Sequence, residues 1–474
     1  MGKLSFKYML SVHLLPFTLL IAPVISAPQP ATARTPQASD PVVSPSGTVL
    51  GSDENFDTAV GGRFTNPFGG AASIDVLPNR IFRINLSSTG TGWQESFLIG
   101  VPRTPAVPAA PLLVTFHSYG RLPDQVVHDS TYFQDAMDRG WFVIAPTGAH
   151  KFNFGIDYAQ ENIRVVMDWA QTFLPIDRER VYGVGFSMGG GGVACYAARH
   201  LNPEELMFAG LTNHTGTVSI RNDYDNAVDT SLYEHPMMFG ASPAGNPFGY
   251  QRASTIDIQT GNGQVDPDSD LVRNLAHIPT TAFAVVNDPL MHLVNQAVQF
   301  HDQLVLRGGD SELMLGRGDE HAWATLDETQ VLDFFEPLRL NMPGASSTTT
   351  TLADRDGRYI HFDITQSTSG TFSPFRWNVQ KSQNRLFFDN AQNIASVGFD
   401  PADLGLDRSQ TLSTILSTTG GNPVTLRLSG YNEPPSEVRR NGITVTNWTY
   451  EPASGTVTFI EELPARYPNW EIVP

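Results

Sequence analysis

A serine flanked by glycines lies near the middle of this chain, in the pentapeptide Gly-Phe-Ser-Met-Gly of residues 185–189. An apolar stretch, 180–186, precedes it and predicts a buried strand, and a stretch of small residues, 189–200, follows and predicts a helix. A serine on a sharp strand-to-helix turn exposes its hydroxyl as a nucleophile, and the residues two before and two after must be small. Ser187 is therefore the predicted nucleophile, near a helix N-terminus that favours an oxyanion. A glycine-rich turn that serves packing alone is the alternative.

A serine hydroxyl needs a base to remove its proton and an acid to orient that base. In a sheet enzyme of this layout the acid and the base follow the serine in that order. Asp288 is the predicted acid, because it lies two residues after a predicted strand that ends at Val286. His321 is the predicted base, because it lies in a loop after the last predicted core strand, whereas His292 and His301 fall in a predicted helix. The alternatives are a turn-forming Asp-Pro and a solvated loop histidine.

Two backbone N–H groups must stabilise the oxyanion that such an attack creates. One is predicted at Met188, directly after the nucleophile. The other is predicted in the loop His-Ser-Tyr-Gly that follows the first buried strand, where Tyr119 is preferred slightly over Ser118. For His117, a structural hydrogen bond that shapes this loop is preferred to a direct role in catalysis.

Several large side chains flank the predicted catalytic positions. Phe186 and Trp323, together with Tyr119 and Met188, would form an apolar wall for an acyl or aromatic group. His117 is grouped with Phe186 and Trp323 as a predicted substrate-binding residue. Ordinary packing is the alternative for each of them.

The sequence predicts neither a metal nor a cofactor, because it contains no HExxH, CxxC, phosphate-loop or dinucleotide motif. A net charge of −18 over 474 residues repels phosphate backbones and argues against nucleic acid as a partner. Cys195 is the only cysteine, so no intrachain disulfide can form, and it is predicted to be a buried packing thiol. We expect a monomer.

The N-terminus has the pattern of a signal peptide over residues 1–27. Lys3 and Lys7 precede an apolar run that is interrupted by prolines and ends at the small residue Ala27. The run is too short and too broken for a stable membrane span, so we expect a secreted protein, extracellular or periplasmic, without stable membrane insertion.

The rest of the chain divides by composition. Residues 28–75 are predicted to be a flexible N-terminal segment, and 76–343 an α/β domain in which strands and helices alternate around a mostly parallel sheet. Within it, 216–275 is irregular and predicted to be a lid-like insertion. Residues 344–352 are a predicted linker, and 353–474, with short alternating strands and hairpin turns, a predicted all-β sandwich-like domain.

These motifs together resemble those of secreted α/β-hydrolase serine esterases. The resemblance rests on His-Ser-Tyr-Gly after a strand, on the segment 176–182, on Gly-Phe-Ser-Met-Gly-Gly, and on the Asp-Pro and the loop histidine, and it covers about residues 80–340. The most similar groups are polyhydroxyalkanoate depolymerases, feruloyl esterases and acetylxylan esterases, and oxidised poly(vinyl alcohol) hydrolases are similar too. The resemblance implies an α/β-hydrolase fold. His-Ser-Tyr-Gly replaces the usual glycine-rich oxyanion turn, and the disulfides common in such esterases are absent.

The expected function is that of a secreted serine carboxylic-ester hydrolase that works through an acyl-enzyme. A polymeric ester, a polyester or an acylated polysaccharide, is the expected substrate, since a trailing β module raises the effective concentration of an enzyme on its polymer. Stabilising the hydrolase is the alternative role of that module. A serine peptidase or a β-diketone hydrolase could use the same residues, and a non-catalytic glycan-binding or adhesion protein with a hydrolase-like fold is the alternative from another class.

Overall fold

The computed structural model describes residues 64–65, 71–86, 89–104, 109–226, 231–343, 348–419, 423–462 and 467–474. The predicted signal peptide and most of the predicted N-terminal segment lie outside these residues.

A ten-stranded mixed sheet forms the N-terminal part of the described chain. In space its strands follow the order β1-β2-β3-β4-β6-β5-β7-β8-β9-β10. Strands β1 to β4 pair antiparallel, as do β4 and β6, and the remaining neighbours pair parallel. The strands are β1 (Phe64–Thr65), β2 (Ala71–Leu77), β3 (Ile81–Leu86), β4 (Glu95–Gly100), β5 (Ala110–Phe116), β6 (Phe142–Pro146), β7 (Ile176–Phe186), β8 (Gly210–His214), β9 (Thr280–Val285) and β10 (Ser311–Gly316).

Helices connect the parallel strands of this sheet. They are α1 (Asp124–Asp129), α2 (Tyr132–Asp138), α3 (Asp157–Phe173), α4 (Met188–Arg199), α5 (Ile220–Asn226), α6 (Ser231–Phe239), α7 (Pro247–Arg252), α8 (Met291–Leu306) and α9 (Glu328–Phe335). Strands β5, β6 and β9 are buried at every residue, and the apolar runs of β5 and β6 are typical of strands inside a parallel sheet. The strand order from β3 to β10 and the serine turn between β7 and α4 define an α/β-hydrolase fold, which confirms the predicted fold class.

Two local expectations differ from the structure. The strand predicted over residues 206–211 begins at Gly210 and ends at His214, because 206–209 are buried without pairing as a strand, and burial alone does not distinguish a strand from a packed loop. The insertion 216–275 contains α5 to α7, which are six to nine residues long. Helices this short show too few turns for a periodic pattern.

Two further sheets form the C-terminal part. One has the order β11-β14-β15-β17-β23-β19-β20 and the other β12-β13-β16-β18-β22-β21. Their strands are β11 (Thr349–Ala353), β12 (Gly357–Tyr359), β13 (Phe362–Gln366), β14 (Ser373–Gln380), β15 (Arg385–Ala391), β16 (Ile394–Phe399), β17 (Leu412–Thr418), β18 (Val424–Leu428), β19 (Glu437–Arg440), β20 (Ile443–Val445), β21 (Trp448–Glu451), β22 (Thr456–Glu461) and β23 (Asn469–Val473).

The two C-terminal sheets pack face to face around an aromatic core. The ring of Phe362, on β13, lies 6.0 Å from that of Phe375 and 5.2 Å from that of Phe388, both on the other sheet. This packing is that of a β-sandwich, as predicted. The predicted linker does not remain a loop throughout, since its residues 349–352 lie in β11.

A buried ion-pair network joins this sandwich to the helix that follows Ser187. Arg199, the last residue of α4, donates from Nε to Asp354 Oδ2 at 2.9 Å, and Arg252 Nε donates to the same oxygen at 3.0 Å. The side chains of Arg199 and Asp354 are fully buried. Burial by itself raises the pKa of Asp354, but the charges of Arg199, Arg252 and Arg355, with a hydrogen bond from Tyr359, outweigh burial and hold that pKa well below its ordinary value.

We expect Asp354→Asn to lower the free energy of unfolding by about 3 kcal/mol, because Arg199 and Arg252 then keep only Asp157, whose side chain is 50% exposed, as a carboxylate partner among the residues that the structure describes. Urea unfolding measures this loss. Asp403→Asn is the matched control, since Asp403 pairs with Arg358 at the surface with 42% of its side chain exposed, and it should cost less than about 1 kcal/mol. Equal losses in the two variants would contradict a structural role for the buried network.

Candidate active site

Ser187 lies on a strained turn between β7 and α4. Its backbone has φ 56° and ψ −123°, a conformation that L-residues rarely adopt. Two backbone hydrogen bonds hold it there: Ser187 N–H donates to His214 O at 3.0 Å, and Thr217 N–H donates to Ser187 O at 3.1 Å. The neighbouring strand β8 and the loop after it therefore fix the serine in place.

The glycines around Ser187 are required by close backbone contacts. A Cβ at Gly185 would lie 2.1 Å from Gly189 O, and a Cβ at Gly189 would lie 2.2 Å from Phe116 O. A Cβ at Gly191 would lie 1.8 Å from Thr217 O. The expectation that residues 185 and 189 must be small is confirmed, and the reason includes the approach of α4 to β5.

Gly189→Ala should destabilise the protein by at least about 3 kcal/mol or prevent folding, because the new methyl group meets a backbone oxygen that cannot move aside. Gly192→Ala, on the same helix, is the control: its Cβ would meet nothing closer than Phe116 Cδ1 at 3.6 Å. That variant should gain roughly 0.5–1 kcal/mol from helix propensity. Urea unfolding of both variants measures the difference, and equal stabilities would show that the contact at Gly189 is unimportant.

Asp288 and His321 come together as the sequence order predicted. Asp288 lies in the turn after β9 and is 1% exposed. His321 lies in the loop after β10, and its Nδ1 is 2.7 Å from Asp288 Oδ2. The other carboxylate oxygen of Asp288 accepts from Leu290 N–H at 2.8 Å. Both oxygens are thus engaged, which fixes the carboxylate and the imidazole that it holds.

The second ring nitrogen of His321 remains available. His321 Nε2 is buried and has no hydrogen-bond partner within the described part of the chain. The His321 ring lies 4.5 Å from the ring of Phe186, the residue directly before the nucleophile. Phe186 directly precedes Ser187 in the chain, and hydrogen bonds between catalytic groups are in general often completed only when substrate binds. The arrangement can support nucleophilic attack with proton transfer to Nε2.

The hydrogen bonds of the loop after β5 distinguish between Tyr119 and Ser118 as the second predicted amide donor. Ser118 N–H donates to Gln125 Oε1 at 3.0 Å, and the Ser118 hydroxyl donates to the same oxygen at 2.8 Å. The Ser118 amide is therefore occupied and is not free to bind an oxyanion. The N–H groups of Tyr119 and Met188 have no hydrogen-bond partner among the described residues.

His117 and Glu95 shape this loop from below. His117 is 2% exposed, with Nε2 at 2.9 Å from Thr147 O and Nδ1 at 2.9 Å from Ser118 O. Burial lowers its pKa. A neutral imidazole has a single N–H and donates to only one of these carbonyl oxygens, but both contacts hold the buried ring against the loop. The position favours a structural role for His117, and its grouping with the substrate-binding residues stays a prediction.

Glu95 is a part of the site that the sequence reasoning missed. Its buried carboxylate accepts from Thr147 N–H and Ala149 N–H, each at 2.8 Å, and from Gly148 N–H at 3.1 Å. It thereby fixes the loop to which His117 binds. Nothing in the local sequence marks Glu95, because its partners lie about 50 residues away.

The structure does not place Phe186 and Trp323 in the exposed apolar wall that the sequence predicted. Trp323 and Phe186 are 2% and 4% exposed, and their rings lie 5.3 Å apart. They pack beneath His321 and present almost no surface to a substrate, because the 3₁₀ turn Trp323–Thr325 directs the indole into the core.

Tyr119 is partly exposed and belongs to another apolar group. Its ring lies 5.1 Å from that of Phe152 and 5.4 Å from that of Phe154. It packs with Met188 and with side chains of the insertion, among them Phe239. The insertion therefore covers the side of the site where the two unpartnered amides lie.

Other features of the described residues add no further chemistry. They contain no group of three or more side chains placed to hold a metal ion, and none of their helices has the length and hydropathy to cross a bilayer. Cys195 is buried, donates to Arg252 O at 3.4 Å, and burial raises its pKa to about 11. It is a packing thiol, as predicted.

No protein family model and no curated protein sequence matches the chain. Among solved structures, it is similar to a ferulic acid esterase, with 15% identity, 54% of this chain and 97% of the other covered, and a TM-score of 0.41. It is also similar to an S-formylglutathione hydrolase from Agrobacterium tumefaciens, with 16% identity, 57% and 99% covered, and a TM-score of 0.40. An esterase from Pyrobaculum calidifontis has 16% identity, 53% and 82% covered, and a TM-score of 0.39. At these values the similarities do not assign an activity.

Proposed function

We propose that this protein is a serine carboxylic-ester hydrolase. The observation that supports it most directly is the hydrogen bond from His321 Nδ1 to Asp288, because the His321 ring also contacts Phe186, the residue before the strained Ser187. The unpartnered N–H groups of Tyr119 and Met188 provide the second requirement, two donors for an oxyanion. Nucleophile, base, orienting acid and donors follow the chain order of this fold.

Each residue has a defined part in the proposed reaction. Ser187 Oγ attacks the ester carbonyl while His321 Nε2 takes its proton, and Asp288 stabilises the resulting imidazolium through Nδ1–H. The amides of Tyr119 and Met188 donate to the tetrahedral oxyanion. His321 then protonates the leaving alcohol, and a water molecule, activated by the same imidazole, hydrolyses the acyl-enzyme and releases the acid.

We propose an apolar or aromatic acyl group on a polymeric ester as the substrate. Tyr119 and Phe152 support the acyl preference, since both rings are partly exposed and Tyr119 carries one of the two donor amides. The β-sandwich supports the polymer, because a second surface fixed to a hydrolase can hold a long chain. Export is part of the proposal and rests on the sequence of residues 1–27.

Ser187→Ala and His321→Ala should each lower kcat on a nitrophenyl ester by about 10⁴-fold or more, because each removes a part without which the others cannot act. His301→Ala is the control: His301 lies on α8 and binds Ser311 Oγ at 3.0 Å, so this variant should keep its rate. Steady-state kinetics with circular dichroism of each variant measures both rate and folding. Activity that survives in folded Ser187→Ala would exclude the proposed nucleophile.

A substrate screen tests the polymer proposal separately. Wild-type protein should release acid or alcohol from at least one of polyhydroxybutyrate, a synthetic polyester, acetylated xylan and a feruloylated glycan, and Ser187→Ala should release none. Titration of released acid and chromatography of products measure this. If the protein hydrolyses soluble esters but none of these polymers, the proposal of an ester hydrolase stands and the proposal of a polymeric substrate is excluded.

A further inference from the structure

His214 connects the turn that carries the nucleophile to the loop that carries the base. It is the last residue of β8 and is fully buried. Its carbonyl oxygen accepts the N–H of Ser187 at 3.0 Å, and Phe186 is its register partner on β7. Its side chain reaches Thr325, in the 3₁₀ turn that begins two residues after His321, with 2.9 Å between Nε2 and Oγ1.

The hydroxyl of Thr325 assigns the proton on the His214 ring. Thr325 Oγ1 donates its single hydrogen to Ala322 O at 2.7 Å, so it can only accept from His214. His214 Nε2 therefore carries the hydrogen and donates it, and Nδ1 holds the lone pair. Nδ1 is buried and has no partner among the described residues. Ala322 is the neighbour of His321, so the chain of hydrogen bonds ends next to the base.

The His214 ring also packs against the side chains that support His321. Its centre lies 4.8 Å from that of Phe186 and 5.8 Å from that of Trp323. Phe186 in turn contacts His321 at 4.5 Å. A change at His214 is thus transmitted to the imidazole of His321 through one intervening ring.

His214 is suited to this place only while it is uncharged. Burial and, to a smaller degree, the neighbouring His321 lower the pKa of His214 to about 3. It therefore stays neutral near neutral pH and adds no positive charge that would oppose an imidazolium at His321.

We propose that His214 is a positioning residue, which holds the 321–325 segment, and with it the His321 ring, in register with Ser187 through its hydrogen bond to Thr325. This inference rests on the proposed function, since it assigns His214 a part in that reaction. A positioning residue differs from one that only fills the core. If His214 positions His321, loss of its hydrogen bond to Thr325 must lower kcat more than it changes KM or Tm.

Four variants separate these roles. Thr325→Val removes the hydrogen bond to His214, together with the one that Thr325 donates to Ala322 O, at nearly the same volume, and His214→Phe removes it with a somewhat larger ring. Each should lower kcat on a nitrophenyl ester about 10- to 100-fold, with KM nearly unchanged and Tm lowered only slightly, because a small displacement of a base costs this much. His214→Gln, whose amide can donate to Thr325, should recover most of kcat. The double variant His214→Phe/Thr325→Val should be no slower than the slower single variant, because each single substitution already removes the hydrogen bond that the two residues share.

Two results would overturn the proposal. One is kcat within twofold of wild type in folded His214→Phe and Thr325→Val. The other is a rate loss in His214→Phe that His214→Gln does not recover and that a matching fall in Tm accompanies, which would make His214 a packing residue.

A spectroscopic measurement keeps the inference separate from the esterase proposal. ¹⁵N NMR of the histidines should show His214 neutral and protonated at Nε2 from pH 5 to 8, and Thr325→Val should change its Nε2–H signal. If these signals are found while wild-type protein hydrolyses no ester and binds no fluorophosphonate at Ser187, the proposed function fails and the hydrogen bond stands. A charged or Nδ1-protonated His214 would contradict the inference even in an active enzyme.

Discussion

The helix that follows Ser187 packs against neighbouring backbone so closely that two of its glycines have no room for a side chain, and the rest of the site depends on this contact. At its N-terminal end α4 approaches β5 so closely that Gly189 has no room for a methyl group, and Gly191 meets the loop after β8 in the same way. These contacts hold Ser187 at φ 56°, which an isolated turn would not keep. The strain is sustained by a parallel sheet in which β5 and β9 are buried along their full length.

The other groups of the site are arranged around the turn that carries Ser187. Asp288 and His321 come from the ends of β9 and from the loop after β10, so the parallel sheet brings them to the same edge as the serine. Below them lie Phe186, Trp323 and His214, all buried. On the other side Glu95 and His117 hold the loop that carries the Tyr119 amide. Each reacting group is thus supported by a side chain with no direct part in the chemistry.

Much of this could be predicted from the sequence, because the decisive features are local. The small residues around Ser187 are required within five positions, and continuous apolar runs identify the buried strands. Chain order then singles out Asp288 and His321, whose hydrogen bond the structure shows. The nucleophilic role of Ser187 and the roles of its partners stay predictions, as does the division into domains.

What the sequence could not provide depends on contacts between distant segments. Glu95 binds a loop about 50 residues away, and His214 binds Thr325 across 111 positions. Trp323 was expected at a substrate surface, but the direction of its side chain is decided by a single 3₁₀ turn. The sequence also missed the short helices of the insertion and placed the start of β8 four residues before Gly210. The reason is related, since burial in these segments does not follow a regular period.

The attachment of the β-sandwich has a consequence for how such a chain can be recombined. Modules that are joined to an enzyme by a free tether can be exchanged without regard to their sequence. Here Asp354 lies against the C-terminal end of the very helix that begins after Ser187, and two arginines of the hydrolase depend on its charge. A chimera with a different β-sandwich would need a carboxylate in the same place, or uncharged side chains at 199 and 252, because Asp157, the other carboxylate that pairs with both arginines, is 50% exposed. Substitutions at 354 in the β-sandwich and at 199 and 252 in the α/β part must therefore occur together.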